Sequence, residues 1–237
     1  MTHHFRRRRS LVCALLASGA AGMPILAAAQ STGLLYDPQP PADSAYVRVI
    51  ALGAGPVDVS VAGVKRIKGL AAGEPSEYMV LAAGKHQFEL SVNGKPGRRA
   101  AVNVQSGRVL TIAFAGAEGD APIVFEDRAN TNKLKAVLAV YHLHAKSGAL
   151  DLLAGDGSTR VFQNVAYGSS SALSVNPVSV DVFAAAAGDK AKLASASLAM
   201  APGGTYSLFL VPGPKNALEL HALTNRIERY TGSPKSS

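Results

Sequence analysis

The sequence predicts an all-β protein made of two small β-sandwich domains in tandem, and three observations predict it. Short stretches rich in Val, Leu, Ile and aromatic residues, alternating in polarity, recur at the spacing of roughly 8–12 residues expected of sandwiches. The breaks between them carry Gly, Pro and Asn-Gly, which supply the positive φ that tight turns require. Finally, the opening strand theme returns in the second half. Leu138-Ala139-Val140-Tyr141 echoes Val47-Arg48-Val49-Ile50, Leu150-Asp151-Leu152 echoes Val57-Asp58-Val59, and residues 204–210 echo 107–114, at separations of 91 to 97 residues. Two copies are too few for a solenoid, so the repeat implies tandem modules.

Residues 1–29 read as a signal peptide. Arg6-Arg7-Arg8-Arg9 gives a positive start, residues 11–26 are apolar but broken by Gly19, Gly22 and Pro24, and Ala27-Ala28-Ala29 offers a small-residue cleavage site. The apolar run falls short of the roughly 20 residues that span a bilayer, so removal is expected rather than anchoring. It would take away the sole cysteine, Cys13, and four arginines, leaving 20 basic and 16 acidic residues and a net charge of +4 in place of +8. A mature chain without thiols has no disulfide and no cysteine nucleophile, and so mild a charge gives no reason to expect nucleic acid as a partner.

Residues 30–44 form an extended arm, because Pro38, Pro40 and Pro41 remove amide donors and hold their predecessors out of the helical region. The first sandwich is expected over 45–118, with strands at 46–52, 57–61, 77–81, 86–92, 100–104 and 109–114. A linker over 119–132 follows, within which Ile123-Val124-Phe125 has room for a short strand. The second sandwich is expected over 133–223, with strands at 135–143, 149–153, 159–165, 176–183, 194–199 and 205–211. Residues 224–237 read as an irregular tail. The modules are of immunoglobulin-like or jelly-roll-like kind.

Chemistry-bearing motifs are few. His142 and His144, two apart on a strand, share a face within reach of one metal ion, but two ligands make no site. Gly155-Asp156-Gly157-Ser158 sits between two strands and reads as a hairpin turn rather than as a nucleophile motif. Ser169-Ser170-Ser171 reads as a serine loop, since catalysis needs a positioned base as well. No catalytic residue, cofactor or metal is therefore assigned. Lys65, Arg66 and Lys68, with Arg98 and Arg99, form two basic clusters in predicted loops, candidates for an anionic polysaccharide or an acidic surface. Tryptophan is absent, which weighs against a sugar platform built on stacking.

Leu35-Tyr36-Asp37-Pro38, the block from Pro41 to Val49 and Val175-Asn176-Pro177-Val178-Ser179-Val180 together resemble the AlgF family, periplasmic proteins of alginate O-acetylation, in order from about Leu34 to Val211. The resemblance implies an exported accessory protein acting beside a periplasmic polysaccharide O-acetyltransferase and a membrane O-acyltransferase, on alginate or on a related exopolysaccharide such as cellulose. It brings no catalytic residues. The expectation is a non-catalytic adaptor that bridges these components, with Tyr36, Pro38, Tyr46 and Arg48 as its contact. The competing expectations are a polysaccharide-binding module using the two basic clusters and an acetyl-carrying enzyme using a serine or His142.

Overall fold

The computed structural model describes residues 39–53, 55–117 and 119–231. The segment expected as a signal peptide and most of the expected arm, including Tyr36 and Pro38, lie outside the described residues. Among the described residues no helix is long and apolar enough to cross a membrane.

The first sandwich contains β1 (Ser44–Ala51), β2 (Val57–Val61), β3 (Val64–Leu70), β4 (Met79–Ala82), β5 (Gly84–Val92), β6 (Lys95–Val104), β7 (Val109–Phe114) and β8 (Ile123–Glu126). The second contains β9 (Ala136–His142), β10 (Leu150–Ala154), β11 (Thr159–Val165), β12 (Ser170–Val175), β13 (Ser179–Ala186), β14 (Ala194–Ala199), β15 (Thr205–Pro212) and β16 (Leu218–Thr224). The sheets run β4-β1-β7-β8 and β3-β2-β5-β6, then β12-β9-β15-β16 and β11-β10-β13-β14. Adding eight to each strand number of the first pair generates the second, so the duplication read from the sequence is a duplication of topology. In both copies the first and seventh strands pair in parallel, with Arg48 opposite Thr111 in one and Ala139 opposite Ser207 in the other.

Even the irregularities repeat. The hairpins β2–β3 and β10–β11 each slip register twice, at corresponding positions. At one slip a residue adopts the left-handed conformation, Gly69 (φ 64°) in the first hairpin and Asn164 (φ 51°) in the second. An aspartate on the facing strand accepts that residue's amide, Asp58 from Gly69 at 2.8 Å and Asp151 from Asn164 at 2.7 Å. A bulge leaves an amide unpaired in the ladder, and the aspartate of each Val-Asp-Val or Leu-Asp-Leu echo satisfies it.

The two cores are separate and alternate as period two demands. Val47, Val49, Leu110, Ile112 and Phe88 fill the first, and Leu138, Val140, Leu152, Leu208 and Leu210 the second. The opposite faces of the same strands are also buried. Ile50, Ala113 and Phe125 of the first sandwich pack with Ala139, Tyr141, Phe209 and Val211 of the second in a third apolar cluster. The sheets therefore stack in four layers, the two inner ones covered on both faces. This explains why β9 is buried at every residue and β15 at all but its ends, whereas the outer strands β5 and β14 alternate between buried and exposed.

Several segments differ from the sequence expectation. β3 and the first half of β6 occupy the basic stretches expected as loops, β12 occupies the serine stretch, and β16 lies where the pattern lapses. Within the segment 119–132 assigned to a linker, β8 pairs with β7 as the edge of the first sandwich. All of these are edge strands, which need only one partner and tolerate polar residues on both faces. Residues 225–231, read as part of an irregular tail, cross back to the first sandwich: Tyr78 donates its amide to the Arg226 carbonyl at 2.8 Å and accepts that of Glu228 at 2.9 Å.

Candidate functional site at the junction of the sandwiches

Arg48 was expected at an exposed edge ready for a partner. Instead its side chain is fully buried between the sandwiches, because on β1 its neighbours Val47 and Val49 take the core and turn it toward the second module. A buried guanidinium must be hydrogen-bonded and paired, and this one is. Its Nε donates to Thr111 Oγ1 at 2.8 Å, Nη1 to Asn225 Oδ1 at 2.8 Å and Nη2 to Ser207 Oγ at 2.9 Å. The Asp127 carboxylate lies 4.0 Å away. Three rings surround the cation, Tyr78 at 4.6 Å, Phe209 at 4.9 Å and Tyr141 at 5.2 Å from their centroids, an arrangement that adds cation–π attraction.

The anion is held with equal care. Asp127 accepts from the Tyr78 hydroxyl at 2.7 Å, the Tyr141 hydroxyl at 2.7 Å and the Thr111 hydroxyl at 2.5 Å. Burial, with the Asp127 charge beside them, pushes both phenols above the ordinary tyrosine range against the opposing pull of Arg48, so both stay protonated donors. The Ser207 hydroxyl in turn donates to Asn225 Oδ1 at 2.8 Å. Residues from both sandwiches and from both connecting segments thus close one network around one ion pair.

Beside this network, on the surface, is a cleft of about 460 Å³ lined by Tyr46, Val109, Arg128, Thr205, Arg226 and Ile227 among others. Tyr46, the other described residue of the expected contact, is half-buried in its wall. Of the basic clusters, Lys65 pairs with Asp58 at 2.6 Å, Arg66 with Glu228, and Arg99 with Glu89 at 3.4 Å. Arg98 turns inward, donating to the Phe114 carbonyl at 2.7 Å with its guanidinium over the Phe114 ring. Lys68 is exposed.

The other candidates are held by the backbone. His142 Nε2 donates to the Gly148 carbonyl at 2.7 Å and Nδ1 accepts the His144 amide at 3.3 Å; burial pushes its pKa down, so it stays neutral. His144 Nε2 faces the Asn216 carbonyl at 3.0 Å, leaving Nδ1 to accept from the Ser147 hydroxyl. Among the described residues no three His, Cys, Asp or Glu stand together as a metal would need. Ser158 lies in the β10–β11 turn, where its amide donates to Asp156 at 2.9 Å and the amide and hydroxyl of Ser158 hold that carboxyl below the usual range. Ser169 donates to the Ala166 carbonyl at 2.6 Å.

Sequence reasoning missed Thr111, Asp127, Ser207 and Asn225. The echo itself offered a signal: Thr111 and Ser207 occupy equivalent registers opposite Arg48 and Ala139, two hydroxyls repeated on the strand faces turned away from each sandwich's own core.

Fold and junction together define a class, a duplicated β-sandwich protein whose buried charges join its two copies. The chain belongs to the AlgF family: the family model described as "Alginate O-acetyl transferase AlgF" matches residues 18–207. The alginate biosynthesis protein AlgF of Pseudomonas putida is 28% identical over 203 residues, spanning 86% of this chain and 89% of its own length. Its counterpart in Pseudomonas aeruginosa is 29% identical over 172 residues, 73% of each chain. Among solved structures, the C-terminal domain of AlgF from P. aeruginosa aligns over 39% of this chain and 100% of that domain, with 24% identity and a TM-score of 0.31. The protein is thus a member of an alginate biosynthesis family involved in O-acetylation.

Proposed function

We propose that the protein is a non-catalytic periplasmic adaptor that bridges a periplasmic polysaccharide O-acetyltransferase and a membrane O-acyltransferase. The observation that supports this reading is the junction. Arg48 and Asp127, the kind of charged pair an active site would use, are instead buried and bonded so as to hold two sandwiches in one compact unit. A protein built this way presents two surfaces at fixed spacing, which is what bridging requires. Contact falls to the arm with Tyr36 and Pro38 and to the neighbouring wall at Tyr46. The test is co-purification of the mature chain with both enzymes encoded at its polysaccharide locus. A ternary complex is the expected result, and binding to neither enzyme would sink the adaptor. Loss of the complex on deleting residues 31–39, which stops short of β1, would place the contact on the arm.

Polysaccharide binding through Lys65, Arg66, Lys68, Arg98 and Arg99 is the competing reading. Against it stands the pairing of three of these cations with acids of the protein itself and the inward turn of the fourth. Salt-sensitive retention on polyuronate, lost in Lys68→Ser, would favour it over the adaptor. Acetyl carriage is checked by mass spectrometry after exposure to the acetyl donor, where the adaptor reading expects no acetylated serine or histidine.

A further inference from the structure

We propose that the cleft between the sandwiches is the docking site for an extended, acidic segment of a partner protein that also bears apolar side chains; the inference rests on the adaptor reading and gives it a location. The two segments that connect the sandwiches have the same design. In each, one polar residue turns inward to the buried network, Asp127 in the first and Asn225 in the second, and the next residue is an exposed arginine, Arg128 or Arg226. Both arginines line the cleft, one on each connecting segment. Neither guanidinium is hydrogen-bonded or ion-paired among the described residues.

The acids that neighbour them in the chain are already engaged, Glu126 by Arg108, Asp127 by the buried network and Glu228 by Arg66. The lining contains no Asp or Glu. Two unneutralised cations in the lining, with no acid beside them there, favour an anion in the cleft. The rest of the wall decides the class of anion. Val109 and Ile227, the latter 56% exposed, offer apolar contact, and the aromatic wall is a half-buried Tyr46 rather than an open stacking platform. A polyuronate has carboxylates but no apolar side chains to cover Ile227, whereas a peptide has both. Polar recognition around an apolar patch is the usual anatomy of a protein contact.

The experiment uses the mature chain, 15N-labelled, with two probes, a short synthetic peptide alternating Asp and Leu and a polymannuronate oligomer. The expected result is that the peptide at low salt shifts amides confined to Tyr46, Val109, Thr205 and Arg226 and their neighbours. The Arg128→Ser/Arg226→Ser double variant removes two exposed side chains that bond to nothing else among the described residues, so it should fold as wild type, and it should bind the peptide roughly ten-fold more weakly. Lys68→Ser should bind as wild type. Shifts elsewhere, or none, overturn the proposal, as does stronger binding of polymannuronate at the same amides, which would make the cleft a sugar site. The adaptor reading is judged separately. If the double variant still co-purifies with both enzymes, the cleft is not the contact although the adaptor stands. If wild type co-purifies with neither, the adaptor falls and the cleft is judged on the peptide titration alone.

Discussion

The two sandwiches share every strand pairing and both hairpin bulges, yet they are unlike on the faces where they meet. The first presents Arg48 with Thr111; at the same registers the second presents Ala139 with Ser207. Had the copies stayed identical, a second guanidinium would be buried on the facing sheet of the same junction. With Ala139 the second copy carries no competing cation at the register equivalent to Arg48, while Ser207 still accepts a hydrogen bond from Arg48. Divergence at one pair of positions converts a like-charge clash into a bonded junction. Asp127, whose equivalent after the last strand of the second copy is the uncharged Asn225, supplies the counter-charge.

The contrast is broken most severely by Arg48→Ala. Truncation leaves the Asp127 carboxylate buried without its cation, a change that typically costs about 3–5 kcal/mol. Urea unfolding should then resolve into two transitions, one for each sandwich, where the wild type should give one. Arg48→Met paired with Asp127→Asn removes both charges and keeps most of the volume. It should recover much of the loss, because the penalty lies in the unpaired ion rather than in the absent bond. Equal destabilisation by the single and double variants would show that the junction depends on packing and not on charge.

The hairpin aspartates allow a finer comparison of the same two copies. Asp151 is nearly buried and accepts from Arg160 Nε at 2.9 Å, the Asn164 amide and the Gly188 amide at 3.0 Å. Asp58 accepts the Gly69 amide and the exposed Lys65. Asp151→Asn turns one acceptor into a donor facing donors and should cost about 2 kcal/mol, whereas Asp58→Asn, open to water, should cost much less. Both carboxyls are held below the usual range. Burial pushes Asp151 up, but the amides of Asn164 and Gly188 and the Arg160 guanidinium outweigh it, while Lys65 and the Gly69 amide lower Asp58. A folded-state pKa below the unfolded one contributes stability above about pH 4 that is lost as pH falls through the folded value. The Asp151→Asn chain should therefore lose less stability than wild type between pH 5 and pH 3, read from urea midpoints at each pH.

What the sequence made legible follows the layers. Strands such as β5, with one face in a core and one in water, announce themselves by alternation. The inner strands are readable as strands but not as inner ones unless weight is given to β9, whose residues Ala136 to Val140 carry no polar side chain on either face, the mark of a strand covered on both sides. The edge strands β3 and β12 hide because lysines, arginines and serines occupy both of their faces. Arg48 was visible as a departure from the repeat, but its meaning was not. Its hydrogen-bond partners lie 63, 159 and 177 residues away, and an arginine in a strand is ordinarily a solvated one.

The smallest expected effect concerns the returning segment, which the first sandwich grips. Glu228 takes the Arg66 guanidinium and the Val80 amide, the latter at 3.0 Å, so its carboxylate caps the free edge of β4 as well as forming an ion pair. Both side chains are 28% exposed. A partly solvated pair of this kind is worth at most about 1 kcal/mol, and Arg66→Ser should shift the urea midpoint by no more than that implies. Glu228→Gln keeps an acceptor for Val80 and should do less still. If the segment works only through this pair, Arg66→Ser should also expose the amides of Tyr78 and Glu228 to hydrogen exchange. If the paired backbone at Tyr78 holds it unaided, protection there should persist, and the charges would serve the register of the segment rather than its attachment.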